Sequence, residues 1–266
     1  MIRALFRSVA FFCFATLTLS VSSIAIAQNS GGGSELRSDF VAKDIRTRAK
    51  MHTHLGSLYF QNGNLIVALE ELTIATSIDP DYAQAYSTRG LVLYNIKEWA
   101  SAEKDFQKAL SLDDKDPEIS NNYGWFLCHT GKAKESIEFF QRAINNSLYQ
   151  TPEIAYLNMG ACYVDVGDLD AAEEYVRKSM RFQSSSPSAL FQLARINYKR
   201  GNFDAAKLHL DKLMQLMSPG ADVLWLYLRV ERRRGDEESV NTLVAQLRRK
   251  FPDSPEYQEF LKGNFE

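Results

Sequence analysis

From residue 49 to residue 254 the chain repeats one arrangement of large apolar, small and polar positions. Gly56, Gly90, Gly124 and Gly160 are spaced 34, 34 and 36 residues apart. A second glycine series follows seven residues behind, at Gly63, Gly131, Gly167 and Gly201, and Gly235 closes it. Setting unit starts at Ala49, Ala83, Pro117, Glu153, Pro187 and Ala221 puts Gly56, Gly90, Gly124, Gly160, Ala194 and Leu228 at position 8. Position 20 then reads Ala68, Ala102, Ser136, Ala172, Ala206 and Val240, and position 27 reads Ala75, Ala109, Ala143, Ser179, Leu213 and Leu247. Each unit predicts two helices. Helix A ends at a glycine or polar residue at position 15, and helix B starts after a small or acidic residue, as in Gly167-Asp168 and Gly201-Asn202. Small side chains at 8, 20 and 27 let the two helices approach closely, and large apolar residues at 4, 7, 11 and 24 are expected to fill the remaining space.

A helix pair recurring every 34 residues, with small residues at positions 8 and 20, is the tetratricopeptide pattern. The predicted fold is an all-α, right-handed superhelical tetratricopeptide-repeat solenoid. Its six repeats lie near 49–82, 83–116, 117–152, 153–186, 187–220 and 221–254. The sixth carries larger residues at 8, 20 and 27, as a terminal unit facing one neighbour would. A capping helix is expected over 255–265, because an open solenoid end exposes apolar surface.

The first residues read differently. Arg3 and Arg7, an apolar stretch from Val9 and the exit Ala25-Ile26-Ala27 predict a secretory signal peptide over 1–27, cleaved before Gln28. Cys13 follows Phe11-Phe12, which do not fit the small-residue pattern of a lipoprotein cleavage site, so no lipid is expected there. Residues 28–38 are Gly/Ser-rich and read as a flexible linker, with the repeat domain spanning 39–266.

Charge adds a constraint. The whole chain has 31 basic and 33 acidic residues, a formal net of −2, and losing Arg3 and Arg7 takes it to about −4. That gives no electrostatic basis for binding nucleic acid. His52 and His54 stand two apart and point to different sides of a helix, while His129 and His209 are isolated, so a metal site is not expected. No phosphate-cradling glycine loop, nucleophile elbow or zinc-protease motif occurs. The sequence therefore predicts a protein-binding, non-enzymatic chain with no cofactor and no small-molecule substrate.

Stacked repeats curve with helices A lining the inner surface. Positions 2, 5, 9, 12 and 13 of helix A are expected to face that groove. They supply Phe60, Leu91, Tyr94, Asn121, Trp125, Cys128 and His129 in repeats one to three. Repeats four to six supply Leu157, Val164, Phe191, Arg195, Tyr198, Lys199, Trp225, Arg229, Arg232 and Arg233. Aromatic and arginine side chains dominate protein interfaces energetically. The implied ligand is a protein segment that is apolar in its middle and acidic toward one end. For Leu91, Leu157 and Val164, packing between neighbouring helices A is an equal reading. Asn122 and Asn158 at position 6 read as structural residues bonding a neighbour rather than as a carboxylate clamp, which would need basic residues where Thr53 and Ser87 stand. Cys128 and Cys162 fall on neighbouring helices A, two residues out of register, so they are either a disulfide staple or two buried thiols. Export favours the staple.

Several stretches together resemble one family: NNYGWFLC (121–128) with Gly131, AYLNMGACYVDVGDLDAAEEY (155–175), VLWLYLRVERRRGD (223–236) and KFPDSPEY (250–257). They are similar to the PilF/PilW type IV pilus biogenesis and stability proteins, over roughly residues 45–260. The resemblance implies a periplasmic protein at the inner face of the outer membrane. It implies a pilotin-like role, promoting localisation and multimerisation of the secretin, with that secretin and other pilus assembly proteins as partners. It also implies pairing of Cys128 with Cys162. Family members are usually lipoproteins, which this leader does not match. A general periplasmic scaffold for envelope assembly or cell division is the alternative.

Overall fold

A computed structural model describes residues 30–265. The leader expected over 1–27, with Cys13, lies outside the described residues. The helices are α1 (Ser30–Gln61), α2 (Leu65–Ile78), α3 (Ala83–Asn95), α4 (Trp99–Leu112), α5 (Pro117–His129) and α6 (Ala133–Asn145). They continue with α7 (Pro152–Val166), α8 (Leu169–Met180), α9 (Pro187–Lys199), α10 (Phe203–Leu216), α11 (Ala221–Arg234), α12 (Glu237–Lys250) and α13 (Pro255–Leu261). No strand occurs among the described residues. From Lys43 onward the chain is an all-α tetratricopeptide solenoid, with odd-numbered helices as A and even-numbered helices as B.

Local chemistry fixes where the helices begin and turn. Asp116, Ser186 and Ser254 each accept hydrogen bonds from backbone N–H groups of the first turn of α5, α9 and α13, and a proline follows each at the first helical position. Asn64, Asp168 and Asp236 cap α2, α8 and α12 in the same way. The A-to-B turn needs a left-handed residue at position 15. Gly131 supplies it with φ +85°, and only repeat two uses a residue with a Cβ there, Lys97 at φ +68°.

Close approach within each pair explains position 8. A Cβ on Gly160 would lie 2.6 Å from Val176 Cγ2 and 3.1 Å from the Ala172 carbonyl oxygen, and one on Gly90 would meet the Phe106 ring at 2.9 Å. Between pairs, positions 3, 7 and 10 carry the packing. Ile119, Tyr123 and Phe126 of α5 are buried, and so are Ala189, Leu193 and Ile196 of α9, packed with Ala172 and Val176 of α8. The expectation of large apolar residues at 4 and 11 needs correction, because Ser120 and Glu231 occupy such positions and are buried. Glu231 is 0% exposed and held by Arg234 Nη1 at 2.7 Å and Lys207 Nζ at 3.0 Å. A charge so placed is kept by its partners rather than by water.

The ends of the repeat array also depart from expectation. Helix α1 runs back to Ser30, so residues 30–38 are helical where their composition predicts a flexible linker. Extending an existing helix fixes one residue per hydrogen bond and avoids the cost of nucleation, which is how a glycine run can continue α1. At the other end, α13 begins 34 residues after α11 and packs on it as the first half of a further helix A, with Tyr257 and Phe260 against the last core cluster. It stops after seven residues, and Gly263, at φ +72°, reverses the chain.

Candidate functional site: the helix-A stripe

The residues expected to line the groove form a stripe of contacts running from one helix A to the next. Tyr94 of α3 meets Trp125 of α5 edge to face, with ring centroids 4.8 Å apart. His129 stacks on Trp125 at 4.2 Å, and its Nδ1 lies 2.8 Å from the Trp125 carbonyl oxygen. A carbonyl only accepts, so Nδ1 is the donor in this contact, and the ring itself is exposed. This half-buried aromatic cluster combines π faces with one polar atom, the composition of an interface anchor.

A polar ladder crosses the middle. Asn158 of α7 donates to Asn121 Oδ1 (3.1 Å), Asn121 lies beside Asn122 Oδ1 (3.4 Å), and Asn122 donates to the Ser87 hydroxyl of α3 (3.2 Å). Asn121, expected to face a ligand, is 5% exposed and satisfies its neighbours instead. Beneath the aromatic cluster, Cys128 and Cys162 are joined by a disulfide across α5 and α7, with Cα atoms 5.9 Å apart.

Farther along, Arg195 of α9 donates to Asp165 of α7 (2.6 Å), and Lys199 Nζ donates to the Val164 carbonyl oxygen (3.0 Å). The Arg229 guanidinium of α11 lies 4.6 Å from the Tyr198 ring centroid of α9. Arg233 sits over Phe203 at 5.5 Å. Arg195 is thus paired with a carboxylate of the preceding helix A, while Lys199 stays exposed with one donor held by the Val164 carbonyl.

The apolar members divide. Val164 is fully buried among Ala172, Val176 and Leu193 and does not face the groove. Phe60, Leu91, Leu157 and Phe191 are half-buried against core clusters, so they contribute at most an edge to the surface. Packing of adjacent helices A takes these side chains inward. Trp225 is covered from an unexpected direction, since Phe265 stacks on it with centroids 5.6 Å apart. The periodicity does not reveal this contact, because Phe265 lies beyond the last complete repeat and reaches α11 only through the reversal at Gly263. The Ser87–Asn122 rung was legible in principle, as polar residues at positions 5 and 6 of successive repeats.

Among the described residues no three or more His, Cys, Asp or Glu side chains are grouped to hold a metal ion. No described helix is long and apolar enough to cross a membrane. What the stripe offers is π surface, one exposed imidazole and guanidinium groups, which suit binding of a polypeptide segment.

Family models for the tetratricopeptide repeat match residues 49–82, 83–116, 154–185 and 188–216. The crystal structure of PilW, described as a widely conserved type IV pilus biogenesis factor, superposes with a TM-score of 0.69 at 31% identity, covering 80% of this chain and 98% of PilW. The chain belongs to the PilF/PilW family of tetratricopeptide-repeat proteins. Family likeness extends to the type IV pilus assembly protein PilF of Pseudomonas aeruginosa, 29% identical over 231 residues, 87% of this chain and 90% of that protein. A solved Pseudomonas aeruginosa PilF structure has a TM-score of 0.64 at 28% identity, covering 83% of this chain and 99% of that one.

Proposed function

We propose that this protein is a non-catalytic scaffold of type IV pilus biogenesis that binds the pilus secretin, promotes its localisation and multimerisation in the outer membrane, and stabilises pili. The observation that carries this reading is the match to PilW at 31% identity across 98% of that structure, combined with an aromatic cluster on helices A. Its place of action is the periplasm, at the inner face of the outer membrane. The leader pattern over 1–27 supports export, and the Cys128–Cys162 disulfide is the kind of bond that persists in an oxidising compartment. Phe11 and Phe12 before Cys13 argue for attachment through a protein partner rather than a lipid.

The test is a deletion strain in the source bacterium. Loss of surface pili and of twitching, with less secretin multimer in outer-membrane fractions, is the expected result, and the wild-type chain restores all three. Normal piliation and normal secretin multimers, with a defect in envelope integrity or division instead, would replace this reading with a general periplasmic scaffold.

A further inference from the structure

The last repeat holds a binding subsite that the chain fills with its own residues. Trp225, Arg229 and Arg232 stand at positions 5, 9 and 12 of α11, the positions that form the stripe in earlier repeats. Phe265 occupies all three at once. Its ring stacks on Trp225, the Arg232 guanidinium lies 3.6 Å from its ring centroid, and Arg229 Nε donates to its backbone carbonyl at 3.1 Å. One aromatic side chain and one main-chain carbonyl are thus recognised together, which is what a site for an extended peptide requires.

We propose that Trp225, Arg229 and Arg232 form a peptide subsite for an aromatic residue followed by an acidic one, occupied in cis by the segment after α13 until a partner segment of the same chemistry displaces it. Three observations support an exchangeable occupant over a fixed cap. Tyr257 and Phe260 of α13 pack on the last core cluster beside Phe265, so the helical part of the cap still covers that cluster when the tail leaves. Phe265 reaches the site through a short reversal at Gly263 rather than through a continued helix, and it stays half-exposed. Beside it opens a cleft of about 410 Å³ lined by Arg232, Val240 and Phe260 and also by Asp236, the cap of α12, and Glu237. It leaves room for a neighbouring residue whose acidic group must lie toward the arginines and away from these two carboxylates. The preference for an acidic residue follows from charge: among the described residues none of Arg229, Arg232 and Arg233 has a carboxylate partner. In sequence, Phe265 is itself followed by Glu266. The proposal rests on helices A being the binding face, and it is tested without the secretin, so its failure and that of the pilus reading are separable.

The indole N–H resonance of Trp225, assigned by its disappearance in Trp225→Phe, reports occupancy. In full-length Phe265→Ala this resonance is expected to move, while those of Trp99 and Trp125 stay in place. A synthetic peptide Lys-Gly-Asn-Phe-Glu should then return it toward its original position in a saturable way, and the peptide with alanine for phenylalanine should not. The parent chain should bind the same peptide on the order of tenfold more weakly or worse, because a tethered occupant competes at millimolar effective concentration. Adding Arg232→Gln to Phe265→Ala should weaken the peptide further. An unmoved Trp225 resonance in Phe265→Ala overturns the proposal. So does a folded Phe265→Ala chain that ignores the peptide, or equal affinity of parent and variant.

Discussion

Replacing both Cys128 and Cys162 with alanine removes the disulfide that cross-links repeats three and four. The two residues are 34 apart in sequence. Closing a loop of that length in the unfolded chain removes conformational entropy equivalent to about 4 kcal/mol at 25 °C. Both cysteines are buried beside Phe140 and Met159, so the alanines also leave small voids, which adds to the loss. For a chain of this size about 4 kcal/mol corresponds to a fall in Tm of roughly 8–16 °C. The assay is thermal unfolding of parent and variant followed by circular dichroism, with thiol titration confirming that the parent has no free thiol at these positions. Parent protein treated with reductant should fall toward the variant, and the variant should not respond to reductant. A double variant melting within about 2 °C of an oxidised parent would refute the loop-entropy reasoning. It would mean that packing between α5 and α7 already holds the two repeats together in the denatured reference state. The result also bears on binding, because α5 carries Trp125 and His129.

Lys97→Gly should stabilise the protein by about 0.5–1 kcal/mol in urea denaturation, since relief of a left-handed conformation at φ +68° exceeds the extra backbone entropy of glycine. A destabilised variant would show that the exposed lysine side chain contributes more than its backbone costs. Gly160→Ala should go the other way, by about 1–3 kcal/mol despite alanine's better helix propensity, because its Cβ meets Val176 at 2.6 Å and backbone atoms at 3.1 Å. An unchanged urea midpoint would mean that α7 and α8 move apart at little cost. His209 is pushed below the ordinary imidazole value, first by burial and then by Lys212 and Arg177, with Glu173 opposing. A depressed value means the fold prefers the neutral ring, so this contribution is fully present above about pH 6.5 and is lost as pH falls below it. In His209→Gln the decline of Tm between about pH 6.5 and 5 should be shallower than in the parent, and an identical slope would contradict this assignment.

The fold was legible because tetratricopeptide packing imposes steric rules on single positions. Gly160 against Val176 and Gly90 against Phe106 leave no room for a side chain, so the small residues are visible as a period in the sequence. Register put Cys128 and Cys162 on neighbouring helices A but left a disulfide and two buried thiols both open, and only export and the family resemblance favoured the bond that the structure shows. The stripe was harder to read. A helix-A position facing the groove also lies beside the next helix A, and periodicity does not say which neighbour a side chain chooses. Tyr94 and Trp125 chose each other and stay half-exposed, whereas Asn121 and Val164 turned inward. Arg195 looked like free positive charge until Asp165, thirty residues away in sequence, was placed opposite it. Phe265 was beyond reach of the pattern, because its position depends on where α13 stops and not on any repeat. The helical start at Ser30 contradicts composition for a related reason: the helix it extends is nucleated elsewhere, and local propensity decides little once that helix exists.

The central claim is that the aromatic cluster of Tyr94, Trp125 and His129 holds the partner. Its most direct test is capture of the pilus secretin from detergent-solubilised outer membranes by the immobilised chain from Gln28, compared with the Tyr94→Ala/Trp125→Ala variant at matched circular dichroism. Interface residues of this kind cost about 2 kcal/mol or more each when truncated, so retention should drop at least about tenfold. A folded double variant that captures as much secretin as the parent would contradict the account.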